Sequence, residues 1–173
     1  MNPSRFFLAL AVLSLTAGTT SIRADDNKRE DFNGERHFDA LLLGDNEVPP
    51  VATRAFGTLR ATLNHDETEL AFTLRWENVT ADIVQAHIHF GPRSVNGGVM
   101  VFFCGGGGQA ACPTGPNATV TGTITAANVV GPTAQGIEAG EFAKVVRALR
   151  NNEGYANIHN ARFPNGEVRG PVN

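Results

Sequence analysis

Short runs in which apolar and polar residues alternate, each ended by Gly, Pro, Asn or Asp, constrain this chain more than any other feature. Successive side chains of a β-strand leave opposite faces, so a period of two buries one face and wets the other. In FGTLRATLN, Leu59, Ala61 and Leu63 share one face, and Thr58, Arg60 and Thr62 share the other. After a turn at residues 64–67, TELAFTLRWEN puts Leu70, Phe72, Leu74 and Trp76 on one face. The two runs read as an antiparallel hairpin with one wet side. HFDALLL reads as a first strand, ended by the turn GDNEVPP. DIVQAHIHF places Val84, Ala86, Ile88 and Phe90 on one side, with Gln85, His87 and His89 on the other. VMVFF is nearly all apolar and reads as a buried strand; TVTGTITA, YANIHN and GEVRGPV follow, the last two joined by a Phe-Pro-Asn-Gly turn. One segment breaks the period. In GEFAKVVRALRNN, Phe142, Val145, Val146 and Leu149 recur at helical spacing, with Gly154 beyond them as a stop signal. About eight strands and one short helix predict an all-β fold, either an antiparallel β-sandwich or a Greek-key barrel.

The chain has 173 residues, a length that suits one domain with a closed core. Residues 1–24 read as a signal peptide: Arg5 supplies a positive start, and FFLALAVLSLTA is apolar but short for a membrane span. Cleavage after Ala24 would leave a charged leader over residues 25–36, DDNKREDFNGER, and a domain over 37–173. The mature chain is then expected to be secreted or periplasmic, with no second hydrophobic span. Losing Arg5 and Arg23 takes the 14 basic residues to 12 against 17 acidic ones. No basic nucleic-acid footprint remains. Charged residues make up 18% of the chain, and the 19 glycines, without a repeat, serve turns.

Export also bears on the two cysteines, Cys104 and Cys112, in CGGGGQAAC. An oxidising compartment and a Gly-rich loop that bends freely predict a disulfide between them; a two-Cys metal site is the competing reading. His87 and His89, two apart on a strand, leave the same face, a spacing that lets two imidazoles approach one ion. His159 is the candidate third ligand, on a strand whose polar face also carries Tyr155 and Asn157. Glu167 and Arg169 follow on the next strand. Copper or zinc is the ion such a cluster would take. The alternative is that the histidines bond only to backbone carbonyls or to Glu47 or Glu167. His37 and His65, in a leader and a turn, are expected to be solvated. No nucleophile elbow, phosphate-binding loop or dinucleotide fingerprint occurs, so no catalytic residues are assigned; a Glu47–Glu167 acid–base pair is the one hydrolytic arrangement available. Asn78-Val79-Thr80 and Asn117-Ala118-Thr119 are glycosylation sequons.

Three segments in order, LLLGDNEVPPVATRAFGTLRATLN, VQAHIHFGPRSVNGGVMVFF and ALRNNEGYANIHNARFPNGEVRGPV, resemble the CHRD domain, the module first described in chordin and also found in bacterial exported proteins. The likeness spans about residues 38–173. It departs from the common pattern at Phe90, which separates His89 from Gly91, at Asn160, where Thr is common, and in the CGGGGQAAC insertion. The resemblance implies an extracellular immunoglobulin-like β-sandwich. The residues matching its signature are Glu47, Pro49, Pro50, His87, His89, His159, Glu167 and Arg169. The expected function is a non-enzymatic binding or assembly module of the envelope or extracellular space, with an unidentified extracellular protein or envelope component as partner. A metal-binding, redox-related role for the three histidines is the second reading, motivated by a loose similarity to the His-x-His of Cu/Zn superoxide dismutase.

Overall fold

A computed structural model describes Met1 and residues 36–173; the expected signal peptide and nearly all of the expected leader lie outside the described residues. The alternating runs become strands β1 (His37–Leu43), β2 (Phe56–Leu63), β3 (Glu69–Glu77), β4 (Ile83–Phe90), β5 (Gly98–Cys104), β6 (Ala118–Thr125), β7 (Gly154–Asn160) and β8 (Val168–Pro171). The one α-helix, α1 (Phe142–Arg150), lies between β6 and β7. In β1 to β3 the pattern is realised residue for residue. Phe38, Ala40, Leu42, Leu59, Ala61, Leu63, Leu70, Phe72, Leu74 and Trp76 point into the core, while Thr58, Arg60, Thr62, Thr73 and Arg75 face water. Each large apolar side chain so buried contributes about 1.5–3 kcal/mol.

All eight strands pair antiparallel in one sheet, ordered β5-β4-β7-β8-β1-β2-β3-β6. The expected all-β antiparallel fold with one helix is present, and of the two expected forms the sheet takes the barrel-like one, a single sheet that nearly closes. The physical reason is β8, which pairs with β7 along one side and reaches β1 on the other through Leu43 and Arg169. The chain end continues that contact, with Asn173 and Asp39 exchanging both backbone hydrogen bonds at 2.8 and 3.0 Å. Gly170 allows the approach: a Cβ there would lie 2.0 Å from the Leu41 carbonyl oxygen. At the open seam, the chain just past β6 covers β5. Val129 bridges Val101, and the Val130 N–H donates to the Met100 carbonyl at 2.9 Å.

Two local expectations change. A bulge between Ile83 and Gln85 shifts the phase of β4, so Ile83 is buried with Ala86 and Ile88 while Val84 is 56% exposed. The helix ends at Arg150, ahead of Gly154; Asn152 adopts the left-handed conformation (φ 57°), and Gly154 instead opens β7. Phe142, Val145, Val146 and Leu149 bury as expected, and Arg150 grips Glu67 in the β2–β3 turn through two hydrogen bonds of 2.7 and 3.2 Å. No helix among the described residues is long and apolar enough to cross a membrane.

Cys104 and Cys112 are joined, closing the Gly-rich loop with Cα atoms 4.9 Å apart. The loop folds against Phe102, close enough that a Cβ on Gly106 would lie 2.5 Å from its ring. Chain-entropy arithmetic for so short a loop gives about 2–3 kcal/mol. Replacing both cysteines by serine is therefore expected to lower unfolding free energy by about that amount in urea melts, with the barrel spectrum retained.

Candidate functional site

The inner face of β4, β7 and β8 is apolar, with Ala86, Ile88, Ala156, Ile158 and Val168 in the core. The outer face, which water would cover on an ordinary antiparallel sheet, is polar and also buried. Register places His89 beside Tyr155, His87 beside Asn157, Gln85 beside His159, and Asn157 beside Arg169. Glu47, His87, Tyr155, Asn157, His159, Asn160, Glu167 and Arg169 are all buried, and His89 is half-buried. Three loops form the roof over this layer: residues 44–55, 91–97 and 161–167.

Buried polar groups need partners, and here most of those partners are loop atoms. The Arg169 Nε donates to Glu47 Oε2 at 2.6 Å. Its Nη1 donates to the carbonyls of Arg93 and Val95 at 3.3 and 3.2 Å, and its Nη2 to Asn96 Oδ1 at 3.0 Å. One guanidinium thus ties loop 44–55 to loop 91–97. The Gly97 N–H donates to the Tyr155 hydroxyl at 3.1 Å. Glu167 accepts from the Thr53 hydroxyl at 2.8 Å, from the Thr80 N–H at 3.1 Å and from the Asn160 amide. The Asn160 oxygen in turn accepts the N–H groups of Arg162 and Phe163 at 3.1 and 2.8 Å.

The histidines meet, as the sequence spacing implies. Ring centroids of His87 lie 4.5 Å from those of both His89 and His159. One nitrogen from each of His87, His89 and His159 falls within 4.8 Å of the others, the group of potential metal ligands found among the described residues. Tyr155 stacks on His89 at 4.6 Å with 12° between planes, the Arg169 guanidinium lies over the Tyr155 ring at 4.8 Å, and Phe102 meets His87 edge-on at 5.1 Å. The expected carboxylate partner is absent from the cluster. Glu47 is held by Arg169 of β8, and Glu167 by Asn160 of β7 together with Thr53 and Thr80 from connecting segments. The alternative of backbone carbonyl partners holds for two of the three histidines: His89 Nδ1 lies 2.7 Å from the Gly97 oxygen and His159 Nδ1 3.0 Å from the Pro164 oxygen. His65 is exposed in its turn; His37 is exposed too, though it opens β1 rather than ending a leader.

Burial sets the protonation of this layer. It lowers His87 to about 2, aided by its His neighbours, and His89 to about 4 against the pull of the Gly97 carbonyl. His159 is lowered for the same reason. Burial pushes the Glu47 carboxyl up to about 7 despite Arg169 beside it. At neutral pH the arrangement therefore offers three neutral imidazoles, the form that ligates metal ions.

Sequence reasoning did not assign Thr53, Thr80, Asn96, Phe102 or Asn160 to the site, naming Thr80 only within a sequon and Asn160 only as a departure from the family pattern. Asn160 carried a signal, since it departs from the family pattern at the end of a strand; the others came from loops or an apolar run. Comparison with protein families finds a match over residues 38–172 to the family described as CHRD domain. Neither the curated proteins nor the solved structures contain a match.

The pKa shifts oppose one another in their effect on stability. Between about pH 4 and 6.5 the unfolded histidines take up protons that the folded ones refuse, so stability falls as pH drops through that window. Glu47 keeps its proton to about pH 7 when folded but only to 4.5 when unfolded, so its contribution is present below 4.5 and lost as pH rises to 7. Glu47→Gln removes only the second effect. In chemical melts from pH 4.5 to 7, its stability is expected to climb with pH more steeply than that of the parent; equal slopes would place the Glu47 carboxyl outside the buried layer.

Proposed function

The chain belongs to the CHRD domain family, and from that membership and its roofed polar face we propose that it is an exported, non-enzymatic binding or assembly module of the cell envelope or extracellular space. The observation that carries this reading is where the buried polar residues spend their hydrogen bonds. Arg169, Glu47, Glu167, Tyr155 and Asn160 bond to loop backbone or to one another, holding three loops in place on a rigid sheet. The two carboxylates available for acid–base chemistry are both engaged this way. Recognition residues commonly sit on loops fixed by a rigid scaffold. Here the held loops present Val48, Pro49 and Pro50, then Arg93 and Val95, then Arg162 and Pro164 to solvent. The apolar N-terminal stretch and the disulfide are the features that favour export.

The test has two arms. Fractionation after expression of the full chain should find it beyond the cytoplasmic membrane, beginning at Asp25; retention in the cytosol contradicts export. Immobilised protein should then retain a component of purified envelope or matrix fractions. Arg93→Glu and Arg162→Glu should weaken retention about tenfold or more with melting unchanged, whereas Arg147→Glu on α1 should not. Equal retention by all three variants would remove the loops as the binding surface.

A further inference from the structure

The roof satisfies Arg169, Glu167 and the Tyr155 hydroxyl but leaves other buried polar atoms of the layer without partners: Glu47 Oε1, Asn157 Oδ1 and three histidine nitrogens. His87 Nδ1, His89 Nε2 and His159 Nε2 are buried from solvent and make no hydrogen bond. Their chemical state follows from their neighbours. A carbonyl oxygen only accepts, so the Nδ1 atoms of His89 and His159, facing the Gly97 and Pro164 carbonyls, must carry the protons. In a neutral imidazole the other nitrogen, Nε2, then bears a lone pair. Such a carbonyl behind a histidine is the outer partner that orients a metal-ligating ring and fixes its tautomer. Two rings are thus set to present lone pairs, and the third lies at 4.5 Å from the first of them by centroid.

We infer that His87, His89 and His159 form a three-imidazole site for one copper(II) ion, with zinc(II) binding the same nitrogens less tightly. Three uncharged nitrogen donors without a carboxylate or thiolate suit copper and zinc over magnesium or calcium, and the affinity order of divalent ions puts copper first. Metal–nitrogen bonds of about 2.0–2.1 Å place the donors of a tetragonal copper(II) site roughly 2.9–4.1 Å apart, so nitrogens spread over at most 4.8 Å need only small ring movements to close on an ion. Tyr155 lies against His89 with its hydroxyl engaged by Gly97, which leaves the fourth position to water or a small anion. The cationic Arg169 near the site is matched by Glu47 at 2.6 Å. His89, the least buried of the three, marks the side from which an ion enters. The site does not depend on partner binding by the loops, so either reading can fail alone.

The test is titration of chelator-stripped protein, purified without a histidine tag, with copper(II) and separately with zinc(II). One copper per chain is expected, displacing zinc in competition, and the electron paramagnetic resonance spectrum should show hyperfine splitting from three imidazole nitrogens. His87→Ala, His89→Ala and His159→Gln should each weaken copper binding by about a hundredfold or more, while His37→Ala with His65→Ala leaves it unchanged. The nitrogen count in the parent spectrum decides the matter where a variant does not fold. Substoichiometric copper on folded protein, zinc bound more tightly than copper, fewer than three coupled nitrogens, or loss in the His37/His65 variant would each overturn the site.

Discussion

The buried ion pair between Glu47 and Arg169 is the contact on which the outer face depends. Its partners are separated by 122 residues in the chain, and both side chains are 2% exposed. As a source of net stability such a pair is weak, because taking two charges out of water offsets their attraction. The elevated Glu47 carboxyl records that cost. What the pair supplies is position. With Nε on Glu47, the remaining guanidinium donors reach the Arg93 and Val95 carbonyls and Asn96, and its plane lies over Tyr155. Tyr155 stacks on His89, so an interaction that fastens a loop at one end orients a histidine at the other.

The same layer explains why a sheet face with so many polar atoms can be dry. Parallel sheets are usually the ones covered on both sides; an antiparallel sheet normally leaves one face wet. Here β7 is buried along its whole length, with Ala156 and Ile158 inward and Tyr155, Asn157 and His159 beneath loops. Bonds from buried side chains hold the loops there, alongside backbone bonds such as Gly91 N–H to the Glu153 carbonyl and the burial of Ala55 in the core. The groups that hold the exposed loops thus also frame the histidines, although metal binding and partner binding do not require each other.

The strands were legible because burial on one face writes itself into the sequence with a period of two, as in Leu70, Phe72, Leu74 and Trp76. The helix was legible for the matching reason at Phe142, Val145, Val146 and Leu149. Closure of the sheet was not, because it rests on β8 pairing with both β7 and β1, and four residues such as Val-Arg-Gly-Pro carry no mark of their neighbours. The bulge at Val84 was equally hidden, being set by the partner strand. In the site, the His87–His89 pair and its union with His159 could be read from spacing and face. The carboxylate partners could not. Glu47 and Glu167 are buried with the histidines, but which donors they meet depends on Arg169, Thr53 and Thr80 arriving from three separate segments.

Amide hydrogen exchange on the parent and on Arg169→Met tests this account most directly. If the guanidinium pins the roof, amides of residues 44–55 and 91–97 should lose protection together in the variant, while those of β2 and β3 keep theirs. Unchanged protection in the two loops, or a uniform loss across the barrel, would contradict the claim that Arg169 acts by holding the roof in place.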